Sequence, residues 1–209
     1  MSDYVEVTGS GAASGVPDVV VLDTRIQCDG PDVATALSAC TERTNLVVAA
    51  TSAAGVADRD RQTTGVGVNQ RWDHQGQAVV GFTAYQSLRV LVRDRTDVGD
   101  LIAALAAAAG DAFALDSVTL RVADTAPLLA QAREAAFADA RAKAELYAGL
   151  AGRALASPTR VRETVGDGGG PQPVFRLAAA KDSAGGMPVE AGESTVTASV
   201  CVRWAMVDR

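Results

Sequence analysis

The segment 127–152 constrains the fold of this chain most strongly, because small apolar residues recur in it at steps of three and four. The members of this stripe are Leu129, Ala132, Ala136, Ala140, Ala144, Tyr147 and Ala151. Such spacing places them on one face of an α-helix. Side chains this small allow close packing. The sequence therefore predicts one long helix lying flat on a β-sheet, with Thr125 as its N-cap and Gly152 at its end.

Alternating apolar and polar residues predict the strands of that sheet. The clearest alternation lies in segment 194–204, where every second residue from Val196 to Trp204 is apolar. Further strands are predicted at about 4–10, 18–28, 61–72, 79–92, 117–122 and 159–165, and further helices at about 33–48 and 98–109. The predicted fold class is α+β, with an antiparallel-rich sheet covered by helices that include the long alanine-rich one.

Several connections carry their own signals. Gly9, Ser10 and Gly11 predict a turn that ends the first strand, 73–76 a hairpin loop, and Thr96 a cap for the helix at 98–109. The segment 166–192 is rich in Gly, Pro and Ala, which predicts a long exposed loop with room for a short strand near 174–177.

A weak internal repeat joins two parts of the chain. A strand, an acidic turn and a helix follow one another at 24–37 and again at 90–102. The repeat fits two related β-α-β halves. It also fits the general preference for acidic residues at helix N-termini, so the sequence leaves both interpretations open.

Length and composition favour one globular domain spanning 1–209, since 209 residues with 48% hydrophobic content can bury a sizeable core. A net charge of −6 argues against nucleic-acid binding, which needs a basic surface. The sequence contains no run of about 18 apolar residues, so it predicts no membrane span. Residues 1–20 lack the basic head and apolar core of a signal peptide, which predicts a cytoplasmic protein, or a periplasmic or secreted one if a leader was removed.

The three cysteines do not form a recognisable motif. Cys28, Cys40 and Cys201 cannot all pair within one chain, and their spacing matches neither a zinc ribbon nor a Cys-x-x-Cys redox pair. We expect reduced thiols buried as small apolar side chains. A response of these thiols to oxidant stays open at this point.

Residues that could carry chemistry are sparse. His74 is the one histidine, which removes most acid–base and triad schemes. A metal site from Asp58, Asp60, Asp73 and His74 requires two strand ends to meet, and solvated loop charges are the favoured interpretation. No glycine-rich segment has the spacing of a phosphate-binding loop. We therefore assign no catalytic, metal-binding or cofactor-binding residue and expect no cofactor.

Trp72 and Trp204 are the residues singled out for a role in recognition. Each ends an alternating strand on its apolar face. They are predicted to anchor the core or an interface, and the alternative is that they line a ligand pocket.

Taken in order, a set of short segments resembles the SIMPL domain family of bacterial proteins. The resemblance covers nearly the whole chain. The matching residues are Val5, Val7, Gly9, Gly11 and Pro17-Asp18; Gly81-Phe82, Ala84, Leu88, Val90, Val92 and Asp94; Ala132-Arg133, Ala136, Ala140-Arg141, Lys143-Ala144 and Ala148; and Pro188-Val189 with Ala191-Gly192-Glu193.

The resemblance implies an α+β fold, assembly into rings or larger hollow homo-oligomers, no established catalytic residues, and a link to oxidative stress. Two functional hypotheses follow. The first is a non-enzymatic, self-assembling interaction protein that associates through the long loop or through an exposed edge strand such as 194–204. The alternative is a small-molecule-binding module or enzyme with a pocket between helix and sheet.

Overall fold

A computed structural model of the protein describes residues 3–164 and 192–208. The elements in chain order are β1 (Tyr4–Gly15), β2 (Val19–Gly30), α1 (Val33–Ala53), β3 (Arg61–Trp72), β4 (Val79–Val92), α2 (Val98–Ala109), β5 (Phe113–Arg121), α3 (Ala126–Leu150), β6 (Arg153–Glu163) and β7 (Ser194–Asp208). All strand pairs among these residues are antiparallel, and the predicted α+β class is confirmed. The loop predicted at 166–192, with its short strand near 174–177, lies outside the described residues except for Gly192.

The chain divides into two compact units. Among the described residues, 3–17, 122–164 and 192–208 form the unit that we call the three-stranded unit, and 18–121 form the four-stranded unit. The sequence did not predict this division. The interpretation of 1–209 as one domain stays a prediction.

The four-stranded unit has β-α-β-β-α-β connectivity and the sheet order β3-β4-β2-β5. This is the ferredoxin-like arrangement, which consists of two β-α-β halves and so matches one interpretation of the sequence repeat. Helix α1 packs on β2 and β4, and α2 packs beside α1. The core between helices and sheet is aliphatic, with Leu22, Ile26, Val47, Val90, Leu101 and Leu105 almost fully buried.

The helix ends follow local chemistry, with two corrections to the predicted caps. The Asp32 carboxylate accepts the backbone N–H of Thr35 at 2.8 Å and so caps α1, and Gly110 ends α2 with φ +58°. Thr96 does not cap α2, because the N-cap position belongs to Asp97 and the Thr96 hydroxyl donates to the Asp94 carboxylate at 2.7 Å. Thr125 occupies the N-cap position of α3 without a side-chain cap bond.

The three-stranded unit has the sheet order β1-β7-β6, with α3 packed across β1 and β7. Strand β7 is central, so the prediction that 194–204 is an edge strand is wrong. The predicted turn at Gly9–Gly11 is also wrong, because β1 continues through these residues to Gly15. Pairing with β7 holds β1 extended over its whole length.

The predicted alanine stripe of α3 is confirmed over most of its length. Its buried members are Ala132, Ala136, Ala140, Ala144 and Ala148. Tyr147, predicted on this face, is 54% exposed, because a four-residue step from Ala144 leads to Ala148 instead. Ala151, also predicted on this face, is exposed because α3 ends at Leu150. The glycines of β1 complete this packing. A methyl group on Gly9 would lie 2.5 Å from the backbone nitrogen of Ala140, and closer still to the carbonyl oxygen of Ala136.

Candidate functional site

The edges of the two sheets are candidate recognition sites, because an edge strand carries unpaired backbone N–H and C=O groups that can bind another chain. Among the described strands, the edges are β1 and β6 in one sheet and β3 and β5 in the other. Three of these four edges are protected, one by side chains of α3 and two by features of their own sequence.

The β1 edge is covered by an ion pair of α3. The Ser10 backbone N–H donates to the Asp139 carboxylate at 2.8 Å, and the Lys143 ammonium donates to the Thr8 carbonyl at 3.2 Å. Lys143 and Asp139, four residues apart on the helix, are themselves paired at 2.7 Å. Two outward-facing backbone groups of β1 are thus already bonded within the chain.

Asp139 makes this cover sensitive to acid. The Lys143 ammonium and the Ser10 N–H hold the pKa of the Asp139 carboxyl below its ordinary value. A carboxyl whose pKa is lowered on folding stabilises the fold above its unfolded pKa, and that stabilisation disappears as the pH falls through the folded pKa. We expect the urea midpoint of the wild type to fall between about pH 5 and about pH 2 more steeply than that of Asp139→Asn. Equal slopes in the two proteins would contradict this role.

The edges at β6 and β5 are protected against pairing by features of the strands themselves. Strand β6 contains Pro158, which cannot donate to a neighbouring strand, and its pairing with β7 is irregular on both sides of that proline. The C-terminal half of β6 is exposed and carries the charged side chains of Arg160, Arg162 and Glu163. Strand β5 is short, at nine residues, and carries Asp116 at its middle, paired with Arg25 at 3.0 Å.

The β3 edge lacks charge and proline of this kind, although its pairing with β4 is irregular at Thr64. Within the described residues its one strand neighbour is β4. Positions 62–70, with the sequence QTTGVGVNQ, contain no charged residue and no proline over nine consecutive positions. Charged residues and prolines are the usual devices that keep an edge strand from pairing with another chain. Among the described residues no strand pairs with the outer side of β3, so its backbone groups there are available to a further strand.

Exposed apolar side chains lie beside this edge. Trp72 is 53% exposed and pairs with Val79 at the end of the β3–β4 hairpin, next to Val80, which is 54% exposed. Val66, at the middle of β3, is 61% exposed. The sequence predicted Val66, Trp72 and Val80 on an inward apolar face. They are exposed because α1 packs on β2 and β4 and leaves β3 largely uncovered.

We call this region the β3 surface: the outer backbone edge of β3 together with Val66, Trp72, Val79 and Val80. Trp72 is therefore exposed at the end of β3, and its role as an interface anchor stays a prediction. The absence of charge in 62–70 was visible in the sequence, but nothing local in the sequence shows that β3 is an edge strand.

Trp204, the second predicted anchor, belongs to the core. It is 2% exposed on the central strand β7, and its ring centroid lies 6.0 Å from that of Phe137 on α3. It packs with Ala140, Ala144 and Val202. The two tryptophans therefore have different surroundings, although their sequence patterns are alike.

An open groove in the four-stranded unit is the second candidate site. Its volume is about 820 Å³, and it lies between the end of β2, one side of α1 and the segment joining α2 to β5. Polar and charged groups line much of it, including Gln27, Asp29, Arg43 and Asp111, with Phe113 as the aromatic member. Cys28 also lies in its wall.

The four residues considered for a metal site are not brought together. Asp58 and Asp60 precede β3, whereas Asp73 and His74 follow it, and a twelve-residue strand spans roughly 36 Å. Each aspartate has another partner: Asp58 pairs with Arg61, Asp60 with Arg93 at 2.7 Å, and Asp73 accepts backbone N–H groups of its own loop. In the described part of the chain, no three His, Cys, Asp or Glu side chains form a metal-binding group.

All three cysteines are free thiols. Cys40 is buried, as predicted, whereas Cys28 and Cys201 are half-buried. As for membrane insertion, none of the helices in the described ranges combines the length and the hydropathy needed to cross a bilayer.

These observations define a small α+β protein that has an open sheet edge and in which no catalytic constellation is assembled among the described residues. The model of the SIMPL family, described as "Protein of unknown function (DUF541)", matches residues 5–204. The chain belongs to this family.

Two relatives are proteins of Brucella. The chain is 28% identical over 221 aligned positions to the "26 kDa periplasmic immunogenic protein" of Brucella melitensis biotype 1, covering 95% of this chain and 82% of the relative. The protein of the same name from Brucella abortus strain S19 matches with the same identity and coverage. These names do not support the cytoplasmic location predicted from the sequence.

Proposed function

We propose that this protein is a non-enzymatic interaction protein that self-associates through the β3 surface. The observation that carries the proposal is the uncharged, uncovered edge of β3 beside exposed Trp72 and Val80. Exposed backbone groups and an apolar patch on the same strand pair supply the hydrogen bonds and the apolar contact of strand-to-strand association.

A second copy of the chain is the occupant that this edge fits best. Two β3 strands related by a two-fold axis run antiparallel, which is the arrangement of every strand pair in the described part of the chain. An axis perpendicular to the sheet near the middle of β3 brings the two Val66 side chains together. It also keeps both apolar patches on the same side of a continuous eight-stranded sheet. No like charges meet within 62–70 in such a pairing. Arg61 of each copy faces the partner's Arg71 at the two ends, and both arginines are already paired with aspartates of their own chain.

Light scattering coupled to size-exclusion chromatography tests the proposal. We expect the wild type to elute with a mass above the 21.4 kDa of one chain. Val66→Lys is expected to weaken association by about tenfold or more, since it places two ammonium groups at the centre of the pairing. A wild type that stays monomeric at micromolar concentrations would remove the proposal.

The matched control is Val161→Lys on β6. Val161 is 56% exposed, much like Val66, and it also lies on an edge strand, but one that contains Pro158. This variant is expected to associate as the wild type does. Equal weakening by the two lysines would assign the effect to net charge and not to the β3 edge.

A periplasmic location is part of this proposal and is supported by the names of the two relatives. Immunoblotting of periplasmic and cytoplasmic fractions from cells that express the native gene measures it, with cytoplasmic recovery as the contrary result. A role in stress response stays a prediction from the family resemblance. Survival of a deletion strain under peroxide tests that role.

The groove favours a second candidate function, the binding of a small polar ligand. Arg43 and the two acidic residues in its wall could orient charged groups of such a ligand. A thermal-shift screen of metabolites with the wild type and Arg43→Ala distinguishes this function. A ligand that raises the Tm of the wild type but not of Arg43→Ala would support this function. A screen in which no metabolite raises the Tm of the wild type would count against it.

A further inference from the structure

The groove wall contains a feature that neither candidate function uses: two cysteines on facing elements. Cys28 lies near the end of β2, and Cys40 lies on the inward side of α1. Both belong to the core packing of the four-stranded unit, and each thiol is near enough to the other to affect its pKa. The sulfur of Cys40 also lies 3.6 Å from the carbonyl oxygen of Ile26 on β2.

The register of helix and strand explains this proximity. Gly30 lies directly under Ala36, since a methyl group on Gly30 would be 3.1 Å from the Ala36 side chain. One helix turn from Ala36 leads to Cys40, about 6 Å along the helix axis. Two residues back along β2 lead from Gly30 to Cys28, about 6.7 Å along the strand. The two steps run in the same direction, so the two cysteines face one another.

The two thiols differ in their access to solvent. Cys28 is half-buried and forms part of the groove wall, whereas Cys40 is 4% exposed behind it. A reagent that enters the groove reaches Cys28 first. Arg43, in the same wall, favours the thiolate of Cys28, while burial raises the pKa of both thiols and keeps the reaction slow at neutral pH.

We propose that Cys28 and Cys40 form a redox-active pair, in which Cys28 reacts with a low-molecular-weight disulfide in the groove and Cys40 resolves the product. The Cys28 thiolate attacks one sulfur of the reagent, forms a mixed disulfide and releases one thiol, which takes the proton. The Cys40 thiolate then attacks the Cys28 sulfur and releases the second thiol. The two protein thiols are oxidised by two electrons, and the reagent disulfide is reduced to two thiols.

Tryptic mass spectrometry of the full chain after hours with excess oxidised glutathione tests this step. Both cysteines fall in one tryptic peptide, 26–43, and Cys201 falls in another, 182–203. After quenching with N-ethylmaleimide, peptide 26–43 is expected to be lighter by two hydrogens and free of maleimide. Peptide 182–203, whose Cys201 lies in the other unit, serves as the internal reference for peptide 26–43.

Variants separate the two roles. Cys40→Ala, which keeps a small apolar side chain in the core, is expected to stop at the glutathione adduct on Cys28. Cys28→Ser is expected to leave Cys40 free for maleimide after unfolding. The proposal is overturned if wild-type 26–43 keeps both thiols, or if the wild type accumulates the same glutathione adduct as Cys40→Ala.

A stability measurement gives an independent readout. The bond would tie β2 to α1 and close a short loop, so the oxidised wild type is expected to unfold several degrees above the reduced protein. Oxidised glutathione is expected to leave the Tm of Cys28→Ser unchanged. A rise of equal size in Cys28→Ser would contradict the proposal.

Discussion

Gly9→Ala is expected to destabilise the three-stranded unit by more than about 3 kcal/mol, because the added methyl group meets backbone atoms that cannot move aside. It would lie 2.5 Å from the Ala140 nitrogen and 2.7 Å from the Ala140 side chain. Relief requires α3 to move away from β1 as a whole. The free energy of unfolding, measured in urea by circular dichroism, gives the size of the loss.

The matched control for Gly9→Ala is Gly149→Ala, within α3 itself. A methyl group on Gly149 meets nothing within 4 Å, so its main effect is on helix propensity. Alanine there is expected to stabilise the protein by about 0.5–1 kcal/mol. If Gly9→Ala proved as harmless as Gly149→Ala, the close contact between helix and strand would be wrong.

The second large effect is expected for Trp204→Ala. This side chain is 2% exposed and packs between Phe137 and the buried alanines of α3. Its removal leaves a cavity under the helix that small neighbours cannot fill. We expect a loss of about 3–5 kcal/mol in the free energy of unfolding, measured by the same urea titration.

Trp72→Ala is the matched control, because it removes the same atoms from an exposed position. We expect its free energy of unfolding to stay within about 0.5 kcal/mol of the wild type. Its self-association is expected to weaken instead, since Trp72 belongs to the β3 surface. Equal loss of stability in the two variants would contradict the different environments assigned to these tryptophans.

Local patterns allowed most elements to be predicted from the sequence. Alternation located β3 and β4 to the residue, β2 within two residues and the start of β7, which continues four residues past the predicted end to Asp208. The alanine stripe likewise located α3 and four of its five buried alanines. These features depend on neighbours a few residues away, which is the range over which a sequence pattern is informative.

Strand order could not be predicted in the same way, because it depends on pairs far apart in the chain. Strand β7 pairs with β1 from the opposite end of the sequence, which makes β7 central and not an edge. The same pairing converts Gly9 and Gly11 from a predicted turn into strand residues under α3.

The candidate site shares this dependence. Val66 and Trp72 have the pattern of buried strand residues, and their exposure follows from the position of β3 beyond α1. Their role could be recognised after the sheet order was known. The family match covers these positions but assigns no residue to a function.

Hydrogen exchange at two protein concentrations tests the central claim most directly. We expect the backbone amides of 62–70 to exchange more slowly when the concentration is raised about a hundredfold, because association buries the outer edge of β3. Val66→Lys is expected to abolish that difference, and the β6 amides are expected to show none. Exchange in 62–70 that is independent of concentration, in a protein whose mass shows it to be oligomeric, would contradict assembly through the β3 surface.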